Sequence, residues 1–467
     1  MAKHALPHFL DPLSESGSAH LDPAELASDP GNCKGSHIQA TLVRVSDFPQ
    51  GPCPQIYSNQ LGGVGISVKN KVYYWHMIQR NYKLSKLRSF FLLGPRGVGK
   101  STLLREHFRE INCFYVNLLE SDVERRLAAR PERLLEEWNA QPKAIQESKW
   151  IVIDEVQRVP RILDAVHKGI ADFGLRFALT GSSARKLKRG AANLLAGRAS
   201  EFRMHPFSFT ELGHDFDPID AMTFGQLPES FQLKDNLLER RRFLNSYVNT
   251  YLREEIQAEQ IVRNMEPFRQ FIEVAAATNG KILNAAKVGR QCGLDPKTSQ
   301  RYFQILSDTL VGFYLPAFDL SIRKQQATHP KFFWFDLGVA RAASGMLDEK
   351  ISASTYEFGN LFEHLVIGEA SKLNDQSEAG AKLMYFRSAD GSEIDLVVKR
   401  GKSLYAIEIK SAENPDITDI RKLSRLQQSL PKGTQAFVFC NTVKPYVSEG
   451  VRIVHWMAGL QEIFPWQ

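Results

Sequence analysis

Apolar residues along this chain follow two patterns, and each predicts a different kind of sheet. Phe91-Leu92-Leu93, Phe114-Tyr115-Val116-Asn117-Leu118, Trp150-Ile151-Val152-Ile153 and Phe177-Ala178-Leu179 are short, nearly continuous runs. Such runs suit strands covered on both faces of a parallel sheet. Between residues 77 and 215 they alternate with helical stretches, a strand, loop and helix repeat. Glu393-Ile394-Asp395-Leu396-Val397-Val398 and Leu404-Tyr405-Ala406-Ile407-Glu408-Ile409-Lys410 alternate instead, and Gly401-Lys402 between them suits a type II′ hairpin turn. That turn sets Ile394 opposite Ile409, Leu396 opposite Ile407 and Val398 opposite Tyr405 on one buried apolar face. The other face then carries Asp395 opposite Glu408 and Glu393 opposite Lys410. Between the two patterned regions, Ile282 to Cys292 reads as a helix, Gly293-Leu294 as a turn, and Asp295-Pro296 as the N-cap and first residue of a second helix. Residues 1–76 are rich in Gly, Pro, Ser and His and show poor apolar periodicity, so weak order is expected there. Met77 is a sensible start for the folded chain, which makes the preceding segment a candidate extension.

The first apolar strand runs directly into Gly94-Pro95-Arg96-Gly97-Val98-Gly99-Lys100-Ser101-Thr102 and then into a helix. Gly94, Gly97 and Gly99 let the backbone wrap so that its N–H groups point inward, and the helix adds the positive end of its dipole. The spacing is a complete G-x-x-x-x-G-K-S phosphate cradle, in which Lys100 reaches the β- and γ-phosphates of ATP and Ser101 holds Mg²⁺. Phosphoryl transfer also needs a carboxylate for the metal and a group to orient water. Trp150-Ile151-Val152-Ile153-Asp154-Glu155 supplies Asp154 for the first and Glu155 as general base. The Phe114–Leu118 strand intervenes in sequence, which fits the branch of P-loop ATPases with an additional strand and a glutamate after the aspartate. Thr180 and Ser182, at the end of the next strand, are candidate sensors of the γ-phosphate, with helix capping by Ser182 or Ser183 as the alternative. Arg198 is a candidate arginine finger for a neighbouring subunit of a homo-oligomer, with a solvated or structural arginine as the alternative.

Composition narrows the setting. At 467 residues and 43% hydrophobic, the chain can bury two or three cores, and no apolar run approaches membrane-spanning length. The N-terminus lacks the apolar stretch of a secretory signal, and Cys33, Cys53, Cys113, Cys292 and Cys440 are too scattered for a disulfide framework or zinc site. A cytoplasmic location without a membrane partner is expected. The net charge of +7 permits nucleic-acid binding without demanding it.

Gly94 to Ser101, Asp154-Glu155-Val156-Gln157-Arg158-Val159-Pro160, Leu179-Thr180-Gly181-Ser182-Ser183-Ala184-Arg185 and Ala196-Gly197-Arg198 together resemble a widespread group of prokaryotic AAA-type ATP-binding proteins. In that group a P-loop core precedes a C-terminal region that looks like a winged helix followed by a restriction-endonuclease-like domain. The resemblance covers residues 77–467. It implies an α/β P-loop ATPase domain over 77–215, a helical and winged-helix region over 216–330, and a small α/β nuclease-like domain over 331–467.

The helix-turn-helix read over residues 282–304 agrees with that layout. Its second helix carries Lys297, Thr298, Gln300, Arg301 and Gln304, residue types that reach phosphates and base edges. Across 281–330, Lys281, Lys287, Arg290, Lys297, Arg301, Arg323 and Lys324 outnumber Asp295, Asp308 and Asp319. Lys297 and Arg301 are therefore the candidate DNA contacts, against a packing or lid role for the same unit. In the hairpin, two carboxylates facing each other across a ladder repel unless a cation sits between them. Asp395, Glu408 and Lys410 match the D-x(n)-E-x-K constellation of PD-(D/E)xK nucleases, with Glu363 in Phe362-Glu363-His364-Leu365 as the upstream acid. By resemblance, Asp395 and Glu408 ligate Mg²⁺, Lys410 orients water and Glu363 completes the site. A solvated charged face, or a nuclease fold kept only for binding, are the alternatives. Three functions fit: a Mg²⁺-ATPase that moves its C-terminal domains, an ATP-licensed nuclease, and a nucleotide-gated switch that cuts nothing.

Overall fold

Five strands form the first sheet: β1 (Ser89–Leu93), β2 (Phe114–Asn117), β3 (Trp150–Asp154), β4 (Arg176–Gly181) and β5 (Ala199–Arg203). They lie parallel in the order β2-β3-β4-β1-β5. The structure is a computed structural model that describes residues 78–182, 195, 197–251, 265–319, 329–353 and 355–466. Residues 1–76, Ser183 to Arg185, Ala196, Arg323 and Lys324 lie outside the described residues. The near-continuous apolar runs have the expected cause. Phe90, Leu92, Val152 and Ala178 enter one core, while Phe91, Leu93, Ile151, Ile153, Phe177 and Leu179 enter another on the opposite face. The strand that separates β1 from β3 in space is β4, and β2 is carried to the sheet edge. Chain order reverses around β1, so a crevice opens beyond the carboxyl ends of β1, β3 and β4, where open α/β sheets bind ligands.

Further along the chain, β6 (Gly312–Leu315) and β7 (Lys331–Trp334) pair antiparallel beside a cluster of helices. The ladder spans residue 330, so Lys331–Trp334 pair with residues of the preceding helical region. The predicted helix-turn-helix forms as a helix over Ala285–Gln291 and another over Pro296–Asp308. Asp295 caps the second by accepting from the N–H groups of Lys297 and Thr298, and Gly293 takes φ +65° in the turn. Gly289 lets the first helix press onto that turn, because a Cβ there would lie 2.8 Å from the Leu294 carbonyl oxygen.

The second large sheet comprises β8 (Lys382–Arg387), β9 (Glu393–Arg400), β10 (Ser403–Ile409), β11 (Gln435–Cys440), β12 (Tyr446–Ser448) and β13 (Val451–His455), in the order β12-β13-β11-β10-β9-β8. The β9–β10 register is the predicted one, with Tyr405 opposite Val398 and Ile407 opposite Leu396. Two expectations for this hairpin change. Its second face is also buried, because Val397, Leu404 and Ala406 pack beneath the Ile417–Gln427 helix. The ladder also stops at Ile407 and Leu396, so the predicted pairs Ile394 with Ile409, Asp395 with Glu408 and Glu393 with Lys410 are not part of it. The cause is an irregularity on β9: Met384 opposes Val397 while Phe386 opposes Ile394, so β9 holds an extra residue there. A bulge of this kind shifts side-chain direction by one position. Ile394 accordingly joins the core of Val397, away from Leu396.

No helix among the described residues is long and apolar enough to cross a membrane. Cys113, Cys292 and Cys440 are buried free thiols. Gly289→Ala is expected to lower stability by about 1–3 kcal/mol, because a backbone oxygen must move to admit the methyl group. A urea midpoint unchanged from wild type would contradict that packing.

Candidate functional site

The turn after β1 has the geometry that its glycines imply. Gly97 and Gly99 take φ of +81° and +94°, and a Cβ on Gly94 would sit 2.3 Å from the Met204 carbonyl oxygen. Only glycine fits either requirement without strain. Lys100 opens the helix Lys100–His107 and is 5% exposed, its ammonium donating to the carbonyls of Gly94 at 2.8 Å and Pro95 at 3.0 Å. This buried charge is therefore held inside the loop, where an anion fits.

Asp154 ends β3 and gathers hydroxyls from three other segments, the helix after the turn, β2 and β4. Its Oδ2 accepts from Ser101 Oγ at 2.8 Å and from the Tyr115 hydroxyl at 2.7 Å, and its Oδ1 accepts from Thr180 Oγ1. Burial, reinforced by the Asp154 charge, raises the Tyr115 phenol well above its usual range, so it remains a donor. Glu155 follows with φ +60°, a left-handed conformation that costs a non-glycine residue about 1–3 kcal/mol. Its backbone N–H donates to Thr180 Oγ1 at 2.9 Å, and its carboxylate accepts from Gln157 Nε2. Gln157 Nε2 also donates to Ser182 Oγ at 2.9 Å. Thr180 and Ser182 thus lie at the predicted strand end, both buried, with Thr180 on Asp154 and the Glu155 N–H and Ser182 on the Gln157 amide. The Ser101 hydroxyl, Asp154 and Lys100 fit a magnesium-bound phosphate chain by donor chemistry and by charge.

Arg198 lies elsewhere. It precedes Ala199, which pairs with Ser89 at the start of β1, so it sits at the sheet edge opposite the glycine turn. There it is exposed and contacts His167. Within one chain it does not join Lys100 and Glu155; about five residues of strand, roughly 17 Å, separate the two edges.

Several residues absent from the sequence reading surround the turn. Arg80 donates to the Val98 carbonyl at 2.7 Å and the His205 carbonyl at 2.6 Å, while pairing with Glu211. The strap 204–211 is fastened in turn to the long helix Tyr356–Gln376. His205 meets Asp375 at 2.7 Å, Lys372 donates to the Phe207 carbonyl at 2.8 Å, and Glu369 accepts from the Phe209 N–H at 2.9 Å. Apart from Arg80 with Val98, each of these contacts spans well over a hundred residues of chain, so no local pattern signals them.

The same helix carries Glu363 into an acidic cluster, and here the sequence expectation changes. Between Glu363 and Glu393, and not between Asp395 and Glu408, sits the ammonium of Lys331 on β7, at 2.8 Å from Glu363 and 2.5 Å from Glu393. Glu393 is therefore paired with Lys331 and not with Lys410. Lys410 meets Glu408 at 3.0 Å and Asp419 at 3.2 Å. Asp395 turns its carboxylate onto the Ile409 N–H at 2.8 Å, where the ladder has ended. Burial raises the Glu363 carboxyl to about 7, with the Asp395 charge adding to it against Lys331. Burial and Asp395 likewise push Glu408 up to about 8, and its Oε2 is buried without a hydrogen-bond partner. Among the described residues, no group of three or more His, Cys, Asp or Glu is arranged to hold a metal ion. Lys297 and Arg301 are exposed on one face of the Pro296–Asp308 helix, with Gln300 and Gln304 between and beyond them.

Comparison with known proteins defines the class. Residues 87–213 match a family model described as an AAA domain, and residues 215–350 and 358–458 match two successive domains of unknown function, DUF8612 and DUF4143. Residues 87–213 are thus similar to an AAA-type domain, a P-loop class that suggests nucleotide binding, and the two stretches that follow are similar to domains without assigned roles. It is similar to uncharacterized proteins of Mycobacterium tuberculosis and Mycobacterium bovis, each 26% identical over 332 residues, covering 70% of this chain and 71% of the relative. An uncharacterized Haemophilus influenzae protein is 22% identical, covering 73% of this chain and 90% of its own. Among solved structures, protein VC1899 from Vibrio cholerae aligns over 75% of this chain and 98% of its own at 13% identity, with a TM-score of 0.20.

The raised Glu408 carboxyl has a consequence for stability. Its neutral form is favoured in the folded state, so its contribution is complete below the unfolded value of 4.5 and is lost as pH rises towards 8. Relative to Glu408→Gln, wild-type protein is expected to lose stability between pH 5 and 8, by at most about 1.4 kcal/mol per pH unit. Parallel urea-midpoint profiles for the two proteins would show that Glu408 carries no such shift.

Proposed function

We propose that this chain is a Mg²⁺-dependent ATP-binding protein and ATPase whose nucleotide state controls its C-terminal regions, with DNA as the partner acted upon. The observation that carries this reading is Asp154, placed within hydrogen-bond distance of Ser101 and held by Tyr115 and Thr180. Gly94 to Thr102 wrap the phosphates, Lys100 neutralises the β- and γ-phosphates, and Ser101 and Asp154 hold the metal, which supplies charge neutralisation when bound. Glu155 takes the proton of the attacking water. Thr180 and Ser182 sense the nucleotide indirectly, since their hydroxyls act on Asp154, Glu155 and Gln157. Arg198 serves a neighbouring copy in a homo-oligomer, a role supported by its exposure at the edge away from its own cradle.

Control of the C-terminal regions runs through the strap and the long helix. Met204 donates to the Leu93 carbonyl at 2.7 Å, and Asp375, Lys372 and Glu369 hold the strap. Glu363 lies on the same helix about 9 Å before Glu369. A shift in the turn therefore has a stiff element through which to reach the acidic cluster.

We read residues 216–330 as a helical region ending in a winged helix whose Lys297 and Arg301 meet DNA phosphates. Residues 331–467 are read as a PD-(D/E)xK-like domain with Glu363, Asp395, Glu408 and Lys410 as its site. The unpartnered Glu408 oxygen supports a cation there. Lys331, already seated between Glu363 and Glu393, favours the second reading of a nucleotide-gated switch that does not cut.

Lys100→Ala is expected to abolish ATP hydrolysis, and Glu155→Gln to retain ATP binding while slowing turnover by at least ~100-fold. Full turnover in both variants, measured as phosphate release, would remove the assignment. On DNA, replacing Lys297 or Arg301 with Ala is expected to flatten the dependence of log affinity on log salt by about one unit per phosphate contact. An unchanged slope rules those contacts out. If the acidic cluster cleaves, Glu408→Ala and Lys410→Ala stop nicking and spare ATPase activity; intact DNA with wild-type protein favours the switch.

A further inference from the structure

The cleft over the glycine turn has a second wall, and it comes from beyond the residues that match the AAA domain. The cleft holds about 570 Å³, within the range that accepts a small-molecule ligand. One side is Arg96, Gly97, Gly99 to Thr102 and Glu155; the other is Pro228, Glu229, Gln232 and Leu233. The second wall is short, built on the Pro228–Gln232 helix, but it is firmly seated. Leu227 at its foot is fully buried, and a Cβ on Gly97 would lie 3.9 Å from Leu227 and 3.6 Å from the Tyr247 ring. The Tyr247 hydroxyl donates to the Arg96 carbonyl at 2.8 Å. Beneath, buried Ser230 donates to the Phe224 carbonyl at 2.9 Å and accepts from Arg240 Nε at 3.0 Å, while Arg240 grips Asp220 with both terminal nitrogens at 2.6 and 2.7 Å.

Glu229 and Gln232 stand exposed on this fixed support, three residues apart and so on one helix face. Neither side chain has a hydrogen-bonding or ionic partner among the described residues, whereas Ser230 between them is tied down. Chemistry decides what they meet. The cradle side supplies the groups that take phosphates, which leaves a sugar and a base to be received. Pro228 and Leu233 offer apolar surface for the ring faces. A glutamine amide presents a donor beside an acceptor, the pattern that matches an adenine edge bearing a ring-nitrogen acceptor next to an amino donor. On the N7 side of the ring guanine presents two acceptors, N7 and O6, where adenine presents N7 and its amino group, so there guanine forfeits one of the two bonds. An ionised glutamate only accepts, which suits a ribose hydroxyl.

We propose that Pro228–Leu233 is the base-recognition wall of the nucleotide site, with Gln232 reading the amino edge of adenine and Glu229 receiving the ribose. The proposal rests on the nucleotide reading above and adds to it that base selectivity belongs to the region after the AAA domain. Calorimetric titration of the full chain with ATP, GTP and inorganic tripolyphosphate tests it. Tripolyphosphate carries the phosphate chain but no base or ribose. Wild-type protein is expected to prefer ATP over GTP, and Gln232→Ala to weaken ATP roughly tenfold, the equivalent of one good hydrogen bond. Its tripolyphosphate affinity is expected to stay within about twofold, the change left by a substitution outside the cradle. Gln232 is exposed, so the substitution leaves the core intact. Equal wild-type affinity for ATP and GTP, an unaltered ATP affinity in the variant, or an equal loss of tripolyphosphate binding would each overturn the wall while leaving the cradle standing. Wild-type protein that binds none of the three would overturn the nucleotide reading itself.

Discussion

The Asp154 carboxylate is the junction on which the first sheet's functional edge depends. Alone at the end of a buried strand, an ionised carboxylate would be costly, and three hydroxyls from three different segments offset that cost. Ser101 brings the helix after the glycine turn, Tyr115 brings β2 and Thr180 brings β4. One negative charge thereby sets the spacing of the turn, the two neighbouring strands and the strained Glu155. β4 makes this possible, because it lies between β1 and β3 and places Thr180 between the two halves of the site.

A second set of buried polar contacts extends this edge into the rest of the molecule. Glu369 and Lys372 are nearly inaccessible, and they satisfy each other, the Phe207 carbonyl, the Phe209 N–H and the Gln226 amide. Removing any partner from such a network leaves a buried group unpaired, so its geometry is stiff. The long helix that carries these residues also carries Glu363, and His364 beside it is pinned between Asn279 and the Trp334 carbonyl. On the proposed reading, this stiffness is what makes nucleotide binding felt at a distance.

The acidic cluster shows how a sequence motif and its surroundings can differ in meaning. Glu363, Asp395, Glu408 and Lys410 do gather, but Lys331 arrives with them from a strand of the neighbouring unit. Burial opposes the Lys331 charge, yet Glu363, Asp395 and Glu393 outweigh it and raise its ammonium further above the ordinary lysine range. Lys331 and Lys410 thus offset part of the cluster's negative charge, and Asp395 still raises the Glu363 and Glu408 carboxyls. The β9 bulge has a related effect, since it frees Asp395 from the ladder to meet the Ile409 N–H.

Local chemistry was enough to read the glycine turn, the Asp154-Glu155 strand tip, the Asp295 cap and the β9–β10 register, because each depends on neighbours in sequence: a required φ, a capping oxygen, a side-chain period. The wall at Pro228–Leu233, the Arg80 clamp, the Lys331 ammonium and the distant placement of Arg198 were decided only when the chain closed on itself. Those contacts join residues tens to hundreds of positions apart, and nothing in the spacing of apolar and polar residues records which buried charge will find which partner. Periodicity reports the face a residue takes; only packing determines what that face meets.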